Sequence, residues 1–194
     1  MPTPPRFEQG EHRVILASGS PRRRELCTAM GLTFTVKTSD VDETIPTGTS
    51  PREAVEMLSR RKAEAVLPAD AIVIAADTVV AIGDTILGKP TDEADAHAML
   101  CMLGGRTHDV FTGVTVCYHG RILTASAETA VTFRPLRDEE ITAYIATGEP
   151  MDKAGAYGIQ GLGGALVESI DGEFDNVVGL PCRLLKEMLE EIVK

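Results

Sequence analysis

Residues 71–82, Ala-Ile-Val-Ile-Ala-Ala-Asp-Thr-Val-Val-Ala-Ile, constrain the fold more than any other stretch of the chain. A run this apolar, without strict alternation, reads as a strand buried on both faces. Such a strand needs cover above and below it, which commits the chain to a layered architecture of helices and sheet. One residue breaks the run. Asp77 puts a carboxylate inside it, and a buried carboxylate needs hydrogen bonds, a cation or a metal. Two readings stay open: an Asp that caps a neighbouring loop, or a reactive group at the end of a central strand, where α/β folds tend to place their chemistry.

The remaining pattern alternates helices and strands at first. A strand over 13–17 feeds a helix over 21–30, which Gly31 caps. An extended piece at 32–38 leads into the acidic segment Ser39-Asp40-Val41-Asp42-Glu43. Helices are predicted over 51–66, 92–103 and 138–147, and Pro181 starts the last one. Two strand-like runs, 109–118 and 121–133, turn at His119-Gly120. A glycine-rich loop covers 155–164, and 166–170 reads as a strand. The embedded hairpin makes the sheet mixed, so the fold class is α/β with α+β character. Residues 1–11 are expected to form a flexible arm and 12–194 a single domain, with no internal repeat and no linker.

Charge narrows the partners. The formal net charge is −10 and Trp is absent, which argues against a protein that coats nucleic acid or stacks its bases. No run is long enough to span a membrane, and no apolar signal core leads the chain, so cytoplasmic residence is expected. Cys27, Cys101, Cys117 and Cys182 are scattered without zinc or redox spacing and read as free thiols in a reducing compartment. An anionic ligand would need positive groups concentrated against the overall field. Arg22-Arg23-Arg24 and Arg60-Arg61-Lys62 are the two such clusters.

The first cluster lies in residues 16–26, Leu-Ala-Ser-Gly-Ser-Pro-Arg-Arg-Arg-Glu-Leu. Ser20 and Pro21 make a helix start, as N-cap and first helical residue. Three arginines then fill a first turn whose dipole favours acid. Elsewhere the chain obeys the rule: Ser50-Pro-Arg-Glu53 and Thr91-Asp92-Glu93 put acid there. An anion at residue 20 would relieve the conflict, because free N–H groups, the Ser18 and Ser20 hydroxyls and guanidinium groups together form a phosphate seat. Arginines that point into solvent are the plainer alternative.

Other residues add to either reading. Glu43, with Asp40 and Asp42, supplies oxygen ligands suited to Mg2+ or Mn2+, or a solvated acidic loop. Lys62 and Lys89 are single lysines, the latter fixed between Gly88 and Pro90. Lys153 precedes the glycine-rich loop and Gln160 lies inside it, where glycine allows backbone to approach a ligand closely. Gly-Ser-Pro lacks the second glycine of a nucleophile elbow, and no Walker sequence is present.

Taken together, Leu16-Ala-Ser-Gly-Ser-Pro-Arg-Arg23, Ala76-Asp-Thr78, Gly88-Lys-Pro90, Lys153-Ala-Gly-Ala-Tyr-Gly-Ile-Gln-Gly161 and Asn176-Val-Val-Gly-Leu-Pro181 resemble the Maf (septum-formation inhibitor-like) nucleotide pyrophosphatases. The resemblance runs along nearly the whole chain, and five motifs in order are far more specific than one. It implies the Maf fold, an ITPase-like twisted mixed β-sheet flanked by helices around a nucleotide cleft. It implies hydrolysis of a nucleoside triphosphate substrate to monophosphate and pyrophosphate with a divalent metal, Mg2+ or Mn2+. By the same resemblance Asp77 is the catalytic residue. Ser18, Ser20, Arg22, Arg23, Lys62 and Lys89 line the phosphates, and Glu43 and Asp77 stand on the metal side. Arg22, Thr78 and Gln160 match the subgroup acting on dTTP and UTP; the subgroup acting on 7-methyl-GTP has Asp-Gln in place of Asp77-Thr78. Two alternatives accompany this reading: a non-catalytic nucleotide-binding regulator of cell division, or the same chemistry on a modified nucleotide. Family members often form homodimers, though no interface signature stands in this sequence.

Overall fold

In the computed structural model, residues 3–38, 40–67 and 70–194 are described, so Ser39 of the acidic segment and the first two residues of the expected arm lie outside. The elements run β1 (Val14–Leu16), α1 (Pro21–Ala29), β2 (Thr35–Val36), α2 (Pro51–Glu64), β3 (Ile72–Ile82), β4 (Thr85–Leu87), α3 (Glu93–Leu103), β5 (Thr107–Tyr118), β6 (Arg121–Phe133), α4 (Asp138–Ile145), β7 (Val167–Asp171), α5 (Phe174–Val178) and α6 (Cys182–Ile192). The sheet has the order β2-β1-β3-β5-β6-β7, with β4 also paired to β3. β1 is parallel to β2 and β3, and every other pairing is antiparallel. This is the mixed sheet that the hairpin pattern demanded.

β3 is buried along its length except at Thr78, and its two faces meet different helices. Ile72 and Ile74 pack with Leu26, Cys27 and Met30 beside α1 and with Leu185, Leu189 and Ile192 of α6. Further along the same face, Val80 and Ile82 join a second core with Leu100 and Leu103 of α3 and Ile141 and Tyr144 of α4. On the opposite face Val73 and Ala75 meet Ala63 of α2 and the adjoining Val66. The apolar run thus has cover on both sides, as its composition requires.

The edge of β3 positions the site. β1 pairs with β3 over 72–74, and β4 pairs with it over 80–82. β5 occupies the other edge from 73 to 81. Among the described residues no strand therefore lies beside 75–79 on the β1/β4 edge, and Asp77 stands in the middle of that notch. Its register partner on β5 is Gly113. A Cβ at Gly113 would fall onto the carbonyl of Val55 and within 2.8 Å of the Glu56 nitrogen. The missing side chain lets α2 lie directly on the sheet above Asp77.

Several expectations shift. α1, α2 and α4 end one to two residues early, α3 starts one residue late and ends at Leu103 as expected, and β5 begins at Thr107 rather than Asp109. β4 and α5 were not foreseen. The arm expected to be loose is docked from Phe7 onward: Phe7 is 7% exposed, its N–H donates to the Met30 carbonyl at 3.0 Å, and the Gln9 amide bonds both backbone groups of Thr33. Burial of the ring and these hydrogen bonds together oppose the cost of ordering the segment. Cys27, Cys117 and Cys182 are buried free thiols and Cys101 is an exposed one. No helix among the described residues is long and apolar enough to cross a membrane.

Candidate active site

The notch opens into a cleft of about 910 Å³. Ser18 and Ser20 reach it from the β1–α1 turn, Arg22 and Arg23 from α1, and Glu43 from the loop before α2. Lys62 comes from α2, Asp77 and Thr78 from β3, Lys89 from the loop after β4, and Gln160 from the glycine-rich loop. All ten residues singled out in the sequence line this one cleft.

Lys62 is the hinge of its charge. Its Nζ lies 2.5 Å from Asp77 Oδ1 and 2.7 Å from Glu43 Oε1. The Lys62 hydrogen bond holds the Glu43 carboxyl below its usual pKa, against the opposing effect of desolvation. The irregular segment around Glu43 is tied to α2 by Arg61, whose Nη1 donates to the carbonyls of Asp42 at 2.9 Å and Thr44 at 3.1 Å. Among the described residues no group of three or more His, Cys, Asp or Glu side chains could hold a metal alone. Two carboxylates are nevertheless a sufficient protein share for Mg2+, which keeps waters and takes substrate phosphate oxygens for the rest. The donor set fits the ion, with Lys62 holding the space between the carboxylates.

The arginines of α1 divide their work. Ser20 caps the helix, accepting the Arg23 N–H. Arg22 has one loose partner, Asp152 at 3.9 Å, and otherwise faces the cleft. Arg23 is committed to protein: Nε donates to the Gly179 carbonyl at 2.8 Å, Nη1 to Ser18 Oγ at 3.2 Å and Nη2 to Thr78 Oγ1 at 3.1 Å. Burial pushes its pKa down, and Asp77 opposes the shift. Arg23 thus clamps α1, β3 and the α5–α6 turn together while it lines the cleft. Arg24 donates to the Gly19 carbonyl. The conflict with the dipole is met by sending three guanidinium groups in three directions.

The Arg23 clamp continues as a directed chain. Thr112 Oγ1 donates to the Asn176 carbonyl at 3.1 Å, and a carbonyl can only accept. The single Thr112 proton is therefore used, so the 2.9 Å contact between Thr78 and Thr112 has Thr78 as donor. Thr78 accepts from Arg23 and donates to Thr112, which leaves its hydroxyl one lone pair and no proton.

Against the glycine-rich loop packs a residue that the sequence reading missed, Glu149. Glu149 Oε1 accepts from Tyr144 Oη at 2.9 Å and from the Gly163 N–H at 3.0 Å, and Oε2 accepts from the Leu162 N–H at 2.9 Å. Tyr144 Oη in turn accepts the Gly158 N–H at 3.1 Å. Burial works against the ionised Glu149, yet the two backbone donors and the tyrosine hold its pKa below the usual value. A Cβ at Gly161 would land on this carboxylate, and one at Gly163 would lie 2.5 Å from Tyr144 Oη. These glycines admit Glu149 and Tyr144 on one side, and Gly161 also lines the cleft. No spacing rule marks a carboxylate whose partners are mostly backbone N–H groups.

A family profile described as Maf-like protein matches residues 13–192. The chain is 48% identical over 186 residues to a protein of Bacillus cereus (strain ATCC 10987 / NRS 248) named dTTP/UTP pyrophosphatase, covering 93% of this chain and 92% of that one. A protein of the same name from Moorella thermoacetica (strain ATCC 39073 / JCM 9320) is 50% identical over 181 residues, covering 91% and 93%. A HAM1 protein from Coxiella burnetii has the same fold, with a TM-score of 0.51 and 14% identity over 93% of this chain and 99% of that one. With its motifs gathered on one cleft and its match running nearly end to end, this chain belongs to the Maf family.

Proposed function

We propose that the protein hydrolyses dTTP and UTP to the nucleoside monophosphate and pyrophosphate. The relatives that bear this activity in their names are about half identical over nine-tenths of the chain. The observation that carries the reading is the set of groups at the notch: a carboxylate in the interrupted edge of β3, with Lys62, Lys89 and Arg22 around it. An acidic protein that concentrates cations in one cleft is equipped for a polyanion.

Asp77 Oδ1 is bonded to Lys62, which leaves Oδ2 to accept the proton of the attacking water. Water adds to the α-phosphorus, the bond from that phosphorus to the bridging oxygen breaks, and pyrophosphate leaves. Lys89, which has no hydrogen-bond partner among the described residues, and Arg22, held only loosely, meet the negative charge of the triphosphate. Glu43 and Asp77 are the residues that would hold Mg2+ or Mn2+, and the bound ion would neutralise phosphate charge. At the base end, the lone pair of Thr78 suits a donor. The imide N–H of uracil or thymine is one, whereas cytosine presents a lone pair at the same place. The buried free thiols fit a reducing compartment, the cytoplasm.

Incubation with a panel of nucleoside triphosphates, with and without Mg2+ or Mn2+, tests the reading. UTP and dTTP should give monophosphate plus pyrophosphate. Asp77→Asn should abolish turnover while the protein stays folded and still binds nucleotide. Diphosphate plus phosphate as products, or near-normal pyrophosphate release by Asp77→Asn, would refute it.

A further inference from the structure

We propose that Glu149 is the positioning residue for the base end of the cleft: its carboxylate holds the 158–163 segment that presents Gln160. The inference rests on the proposed pyrimidine-nucleotide reading for its substrate but on hydrogen bonds alone for its geometry.

Gln160 sits between two tethers. On one side the Gly158 N–H is held by Tyr144 Oη, and on the other the Leu162 and Gly163 N–H groups are held by Glu149. Tyr144 and Glu149 are themselves bonded, so the two tethers are one unit. A third tie comes from Lys153, whose Nζ donates to the Glu149 carbonyl at 2.7 Å and to Asp152 Oδ1 at 2.6 Å. Backbone turns flank the residue as well: the Gly161 N–H donates to the Gly158 carbonyl and the Gly164 N–H to the Gly161 carbonyl, each at 3.2 Å. The Tyr144 and Glu149 side chains brace these turns on either side of Gln160.

Donor and acceptor counting explains the carboxylate. Tyr144 Oη already accepts from Gly158, and its one proton goes to Glu149. All three groups facing Glu149 are donors, so its two oxygens must only accept. Glutamine has nearly the same shape, but its NH2 would face an N–H or a hydroxyl proton. One donor would then be stranded in a partly buried place. Gly161 packs against the carboxylate on that side, where a Cβ would meet it.

The test uses Glu149→Gln and Tyr144→Phe, which attack the unit from both ends. Amide hydrogen exchange on the nucleotide-free protein reads the tether directly. In Glu149→Gln, Leu162 and Gly163 should exchange about tenfold faster, and in Tyr144→Phe Gly158 should do so. Steady-state kinetics then read the consequence. For both variants KM for UTP should rise and the preference for UTP over CTP should fall, each about tenfold, with kcat within about threefold of wild type. Unchanged exchange at those amides overturns the tether. A uniform loss of kcat with KM and preference intact, accompanied by a lower Tm, overturns the positioning role and leaves a structural one. A wild-type protein that turns over no pyrimidine triphosphate sinks the activity reading instead, and the exchange result still decides the tether.

Discussion

Arg22 and Arg23 are neighbours in sequence and opposites in duty. Arg23 gives three hydrogen bonds to protein from a half-buried position, whereas Arg22 has one ion pair at 3.9 Å. Arg23→Ala should cost roughly 2–4 kcal/mol, since each stranded partner loses about 1 kcal/mol and Ser18 and Thr78 lose orientation. Arg22→Ala should leave stability unchanged or slightly higher, because it removes a cation from the positive end of α1, and should raise KM for triphosphate. Urea denaturation alongside steady-state kinetics separates the two; equal destabilisation by both would refute the division. In the sequence they form one basic run, and that turn stands out because three cations break a dipole rule obeyed at Ser50 and Asp92. Which arginine turns inward was not legible, since that depends on the Gly179 carbonyl and Thr78, residues 156 and 55 positions away.

At the scale of elements, β3 was legible because a long apolar run has few alternatives, and α2 because Ser50 and Glu53 form a complete capping box. β4 has three residues and α5 five, too short for any periodicity to register. α5 also buries a polar residue, Asn176, whose amide donates to Val110 and Thr129, so composition points away from a packed element. The seating of α2 depends on something that no pattern displays, the lack of a side chain at Gly113. Gly113→Ala would press a methyl group onto the α2 backbone at Val55. The expected cost is about 1–3 kcal/mol from overpacking. Lys62 lies two turns further along α2, so activity should fall beyond what the loss of folded protein explains. Measuring kcat on the fully folded fraction, with Tm recorded in parallel, checks this; wild-type kcat per folded molecule would show that the seating is irrelevant to the site.

Over the whole molecule, one buried group ties stability to pH. His108 packs edge-on against Phe133 and Tyr157, and burial pushes its pKa from 6.5 down to about 4. The unfolded chain binds a proton there below about pH 6.5 while the folded chain stays neutral, so stability rises with pH across that interval. The contribution is complete above about 6.5 and lost as pH falls towards 4, a span worth about 3 kcal/mol. His108→Phe should flatten the denaturation midpoint between pH 6.5 and 4.5 and leave any steeper loss at lower pH; an unchanged slope would refute the assignment. The notch has a mechanical consequence at the same scale. On that edge of the sheet, no strand among the described residues pairs with 75–79, and along one face the first core reaches Ala76 and the second begins at Val80. A ligand seated there would touch the β1–α1 turn, the β4 loop and the glycine-rich loop together. It would act as a cross-brace on the edge that β5 does not cover, so filling the cleft should stiffen the protein there.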